Sequence, residues 1–256
     1  MEISAYWNEV DEEIVKYDLL RHPFYQAWSA GELTSQDLRF YAEQYYHQVS
    51  NFPTYLTSLH SRLPEGAMRR DVLANAFDEE CAGAGSVFTV NASSEAWSQP
   101  EYRCPHSELW LRFLEGMGGN GSESAQGAPI CEVEDLVKTF RTLATEAPIA
   151  TAFGALFAYE SQVPKISAEK LNGLKQHYGA DDRTCSYFAL HRTADLHHAN
   201  VWRKIISSLV EQDDRHANEV LDGVSQAARA LWTALDGIER ERPNHSDVCS
   251  SAAKMN

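Results

Sequence analysis

HRTADLHH, residues 191–198, is the stretch on which the reading of this chain turns. His191 and Asp195 are four residues apart, and Asp195 and His198 are three apart. At about 100° per helical residue these three side chains fall within roughly 60° of one another. His197 points away from that stripe. Two imidazoles flanking a carboxylate offer nitrogen and hard oxygen donors together, a set suited to iron, manganese or zinc. The plain alternative is a solvated polar face with incidental histidines. The flanks argue against it: Tyr187, Phe188 and Leu190 precede the stripe, and Val201, Trp202, Ile205 and Ile206 follow it. An aspartate in so apolar a helix must be paired, ligated or protonated.

Helical bundles build metal sites by pointing carboxylates and imidazoles inward from facing helices. The rest of the chain supplies candidates. Residues 148–163, PIATAFGALFAYESQV, contain Glu160 as their one ionisable carboxylate. Its alternative is a helix-end glutamate reaching water before Pro164. Residues 77–80, FDEE, offer Asp78, Glu79 and Glu80, although acidic runs are usually solvated. His106 opens the next helical segment, where a lone histidine is more often structural. Three carboxylates and three imidazoles from four helices would make a two-metal site with open positions for oxygen. A single ion on the 191/195/198 stripe is the weaker alternative.

The remaining pattern is helical nearly throughout. Helices are expected over 9–20, 23–30, 35–61, 65–81, 106–117, 131–146, 148–163, 166–178, 183–210 and 213–239. Thr34 and Asp37 form a capping-box pair ahead of the aromatic segment 35–61, which Pro53 should kink or divide. Residues 82–104 read as an inserted loop, with a brief strand at 87–90, and 118–129 as a flexible linker. No βαβ rhythm and no repeat is present. The expected fold is an all-α bundle of seven to nine helices, one domain over 1–242 with a flexible tail at 243–256.

Composition narrows the function. The 256 residues carry 22 basic and 37 acidic side chains, a formal charge of −15. That balance argues against nucleic-acid or anionic-membrane binding, which needs clustered Lys and Arg. No run of 18 apolar residues exists to span a membrane, and the N-terminus lacks a signal-peptide pattern. The five cysteines form no CxxC pair, as expected of reduced thiols in the cytoplasm.

The order of these motifs resembles the haem-oxygenase-like dimetal oxidases and, within them, the CADD-type para-aminobenzoate synthases. The resemblance covers about residues 8–240. It is carried by the segment 22–62 that opens HPFYQAW, by DEE at 78–80, HSELW at 106–110, YESQVPKISAEKLNGL at 159–174 and HRTADLHHANVW at 191–202. It implies the metal ligands Glu79, His106, Glu160, His191, Asp195 and His198. It also implies an Fe/Fe or Fe/Mn pair, dioxygen, an external reductant and a homodimer. The spacing between Glu79 and His106 is longer here than in the family. The family's tyrosine substrate would be Tyr25 and its amino donor Lys170, with Tyr41 and Tyr159 near the site. Each has a bland reading as a core aromatic or a surface lysine.

Competing classes stay open at this stage. One is a dimetal oxidase of the same fold acting on an external small molecule. A TenA-like hydrolase would need a nucleophilic cysteine, for which Cys81 and Cys185 are the nearest candidates. A PqqC-like oxidase would lack the full carboxylate set. The non-enzymatic alternative is a protein-interaction module.

Overall fold

The computed structural model describes residues 2–81, 102, 104–124 and 126–243, and every regular element among them is helical. In chain order these are α1 (Ile3–Val15), a 3-10 turn (Leu19–Arg21), α2 (Pro23–Ala30), α3 (Ser35–Arg62), α4 (Ala67–Cys81), α5 (His106–Gly116), α6 (Gly121–Ser124), α7 (Cys131–Thr145), α8 (Ile149–Glu160), α9 (Val163–His177), α10 (Ser186–Gln212) and α11 (Arg215–Glu241). The strand expected at 87–90, most of the 82–104 insertion and the tail beyond 243 lie outside the described residues.

Local chemistry sets the ends of the helices that matter. Thr34 and Asp37 close the capping box that starts α3: Asp37 Oδ2 accepts from Thr34 N–H at 2.9 Å, and Thr34 Oγ1 accepts from Asp37 N–H at 3.2 Å. Pro53 lies inside α3 without dividing it. The helix is long and lies against α4, α5 and α7, and that packing outweighs one missing backbone donor. The short α2 is bounded on both sides. His22 Nδ1 accepts from Phe24 N–H at 3.1 Å at its start, and Gly31 ends it at φ 73°. The segment read as a linker holds the single turn α6.

α8 is the centre of the bundle, packed on α11, α10 and α7. Every residue from Ala150 to Glu160 is buried. Two glycines let α8 and α11 touch backbone to backbone. A Cβ on Gly154 would lie 2.2 Å from Val220 O, and one on Gly223 would lie 1.9 Å from Thr151 O. A third close approach joins α2 to α9. A Cβ on Gly173 would meet Trp28 Cδ1 at 2.7 Å, and Trp28 Nε1–H donates to Lys170 O at 3.3 Å. These contacts place Glu160 at the end of α8 and bring Lys170 on α9 opposite α2.

Candidate metal centre

Four helices deliver the six residues expected as ligands to one buried cluster. Glu79 comes from the last turn of α4, His106 from the first residue of α5, Glu160 from the last of α8, and His191, Asp195 and His198 from one face of α10. All six are at most 5% exposed. Their donor atoms form two groups, each with all atoms within 4.8 Å of one another: Glu79, His106 and His191, and Glu79, Glu160, Asp195 and His198. Glu79 belongs to both groups, as a carboxylate lying between two ions would. Of the acidic run, Glu80 is exposed while Asp78 and Glu79 turn inward. His197 is exposed, as its place on the helical wheel requires.

The fit to metal can be judged from the pairing of these atoms. Both ring nitrogens of His106 are buried without a hydrogen bond. Its Nδ1 lies 2.8 Å from Glu79 Oε2, yet the two do not meet in hydrogen-bonding geometry. Two donors facing each other across an unshared gap suit a common cation. His191 Nδ1–H donates to Tyr187 O at 2.8 Å, which leaves its Nε2 lone pair for a metal. His198 Nδ1 lies 3.2 Å from Asp195 and 3.3 Å from Glu160, while its Nε2 lies 3.4 Å from Asp78. Glu160 accepts from Asn75 Nδ2–H at 2.9 Å and from Trp202 Nε1–H.

Electrostatics point the same way. Burial pushes the Glu79 carboxyl up to about 7 and the His106 imidazole down to about 3. Burial likewise raises Asp195 and lowers His191. His198 is the exception. Burial opposes its charge, but Asp195, Asp78 and Glu160 surround it and hold its pKa well above the usual imidazole value. Its proton occupies the place of a cation among carboxylates. A buried set this acidic is costly without positive charge. Its oxygen and nitrogen donors match iron or manganese.

A second pocket adjoins the first. Lys170 is 5% exposed. Its Nζ donates to Tyr25 Oη at 2.9 Å and to Tyr41 Oη, and the two phenols lie 3.1 Å apart. Nζ also sits 4.3 Å from the centre of the Tyr25 ring. Burial drives the Lys170 pKa well below the usual lysine value and those of Tyr25 and Tyr41 well above the usual phenol value. Burial thus favours the neutral amine at Lys170 and the protonated phenol at both tyrosines.

Tyr159 and Tyr187 form the wall between the pockets. Both line a cavity of about 10 Å³ beside Glu79, Glu160, His191 and Asp195. Both also line one of about 20 Å³ beside Tyr25 and Lys170. The Tyr159 hydroxyl acts on Tyr187 and Tyr45, partly offsetting the rise that burial gives both phenols. The Tyr187 ring stacks on His191 at 3.9 Å, and Tyr45 stacks on Tyr41 at 5.4 Å. Aromatic residues therefore line the way from His191 to Tyr25, with Tyr159 and Tyr187 between the two cavities. Asn75, Tyr45 and Tyr187 were not singled out as site residues from the sequence. Each stands four residues from one that was: Asn75 from Glu79, Tyr45 from Tyr41, Tyr187 from His191. Helical spacing alone would have put them on the same faces.

The family described as iron-containing redox enzyme matches residues 39–232. The chain belongs to that family. The match takes in all six cluster residues and Lys170. Two relatives, each named 4-aminobenzoate synthase, align over nearly the whole chain. The Nitrosomonas europaea protein is 34% identical across 98% of this chain and 95% of its own length. The Chlamydia pneumoniae protein is 33% identical across 95% and 98%. A solved structure of a CADD-like protein of unknown function from Nostoc punctiforme shares the fold of this redox-enzyme chain, with a TM-score of 0.71 at 15% identity over 94% of this chain and 99% of that one. The all-α, haem-oxygenase-like expectation therefore holds.

The hydrolase alternative loses support on chemical grounds. Burial pushes the Cys185 thiol up to about 11, the opposite of an activated nucleophile. The Cys81 side chain lies outside the described residues. No helix among the described residues is long and apolar enough to cross a membrane.

Proposed function

We propose that the protein makes 4-aminobenzoate from its own side chains, with Tyr25 as the source of the ring and Lys170 as the source of the amino group. The supporting observation is that the acidic histidine cluster and the Lys170–Tyr25 pair share one wall, Tyr159 and Tyr187. The names borne by its relatives point to the same product.

Glu79, His106 and His191 would hold one ion and Glu79, Glu160, Asp195 and His198 the other. Two irons, or iron with manganese, would supply activation of dioxygen with electrons from an external reductant. The protein's own residues do the rest. Tyr159, Tyr187, Tyr45 and Tyr41 carry an electron and a proton between the two pockets. Tyr25 loses the chain beyond the first carbon on its ring, and that carbon becomes the carboxyl group. Lys170 Nζ, 2.9 Å from the Tyr25 hydroxyl, condenses with the ring carbon once the ring has been oxidised by dioxygen to a quinone-like form. The C–N bond forms and the ring oxygen leaves as water. The Nζ–Cε bond breaks as Cε is oxidised to an aldehyde while the ring is reduced back to an aromatic amine. The aromatic walls exclude water throughout. The cavity beside Lys170, about 20 Å³, is room for about one water and not for an external aromatic substrate. That favours an internal ring over a small-molecule substrate. The same reading takes the chain as one helical domain over 1–242, a cytoplasmic homodimer.

The test is direct. The purified protein is loaded with Fe(II), with or without Mn(II), and given reductant and oxygen. 4-Aminobenzoate is then measured by mass spectrometry after tyrosine in the protein has been isotopically labelled. Label should appear in the product, and Tyr25→Phe, Lys170→Arg and His191→Ala should each abolish it. Product from Tyr25→Phe at the wild-type level would overturn the sacrificial reading.

A further inference from the structure

A third cavity, of about 440 Å³, lies between α1, the 3-10 turn and the start of α9. It is larger than both inner cavities and within the range of small-molecule pockets, about 300–1,000 Å³. Ile166 lines this cavity and the Lys170 cavity alike. Ile166 therefore stands between the two. Leu19 faces the inner side and Leu20 the outer. Their turn is tied to the α8–α9 junction by Leu19 N–H donating to Gln162 Oε1 at 3.4 Å.

The outer lining has two kinds of polar group and an apolar floor. Lys165 and Ser161 stand on the α8–α9 side, and Asp11 and Asp18 on the side of α1 and the turn. Ser161 Oγ is buried and has no hydrogen-bond partner. Ile14, Leu20 and Ile166 supply apolar surface. A flat ring carrying a carboxylate at one end and an amine at the other matches that division. The carboxylate goes to the lysine, and the amine to an aspartate.

We propose that this cavity is an exit site, which binds the aromatic amino acid after it leaves the Lys170 pocket past Ile166. The assignment rests on the function proposed above, because the ligand is that reaction's product.

Two measurements test it. The first is calorimetric binding of 4-aminobenzoate to the metal-free protein, which needs no turnover. Wild type should bind, and benzoate or aniline should each bind more weakly. Lys165→Glu should weaken binding roughly tenfold, the loss of one charge-assisted contact. Ile14→Trp should fill the cavity and abolish binding. Lys165 is exposed, so that variant keeps the test sound if Ile14→Trp does not fold. Absence of binding by wild type at millimolar ligand, or wild-type affinity in Lys165→Glu, would overturn the proposal. The second compares product in the filtrate with product after acid quench. Ile166→Trp should lower the released fraction, and an unchanged fraction would remove Ile166 as the partition. Acid-quenched wild type without any 4-aminobenzoate would instead refute the function, while the calorimetry still decides the cavity.

Discussion

The two inner pockets share a wall and treat buried charge in opposite ways. Around Glu79, Glu160 and Asp195, acids and imidazoles answer one another, and His198 keeps a proton because three carboxylates face it. Around Lys170 phenols and aromatic faces crowd the amine, and burial favours loss of the ammonium's proton. One pocket is built to attract positive charge and the other to refuse it. A single enclosed volume could not do both. The Tyr159–Tyr187 wall lets a cation site and a neutral amine lie side by side.

The sharpest way to break this contrast is to remove the residue common to both donor groups. Glu79→Ala should lose both metal ions by elemental analysis and abolish product. His106→Ala and Asp195→Ala should each retain about one ion per chain. Equal losses in all three would show that the groups are not separate sites. Next, Tyr25→Phe should keep full metal content while making no product, since it touches only the lysine pocket. Metal loss in this variant would show that the wall does not insulate.

The third expectation concerns pH. A cation must displace protons from Glu79, held up at about 7, and from His198. Metal affinity should therefore rise from pH 6 to pH 8, by about tenfold for the Glu79 proton alone and by up to about a further hundredfold for the His198 proton. The metal-free fold should show the reverse trend. The folded pKa of Glu79 is raised, so its contribution to stability is full below the ordinary 4.5 and lost as pH climbs to about 7. Titration calorimetry and denaturant melts over that range read the two trends separately. The smallest effect is on stability. Lys170→Met exchanges a buried amine for an apolar side chain, and should stabilise the fold by roughly 1–3 kcal/mol while ending catalysis. A lower melting temperature would mean that the amine's bonds to Tyr25 and Tyr41 outweigh its burial.

Much of this was legible in the sequence, and particular residues explain the remainder. The His191–Asp195–His198 stripe could be read because three chemically distinctive residues repeat at helical spacing. Glu160 could be read because nothing else around it is charged. The 78–80 run could not be resolved by pattern, since three adjacent acids differ only in the direction each takes around α4. The resemblance to known synthases pointed to Glu79, and the structure adds that Asp78 turns inward as well. Tyr45 and Tyr187 escaped because a tyrosine on an amphipathic helix reads as core until its hydroxyl's partner is seen. Pro53 shows the opposite limit. A local rule predicts a kink or a division, and packing along the length of α3 keeps the helix undivided. The outer cavity had no sequence signal at all, because it is made where α1, a turn and α9 happen to meet.

One consequence of the central helix concerns the order of assembly. α8 has no face for water: Ala150 to Glu160 are all covered, and its glycine meets the backbone of α11 directly. Such a segment gains little by forming early and alone, and exposed in a nascent chain it would invite association. It becomes stable only when α7, α10 and α11 have closed around it. Glu160 is its last residue, so that donor reaches the cluster at the end of folding. We expect ion uptake to follow core closure in refolding experiments, with chelators slowing no earlier phase.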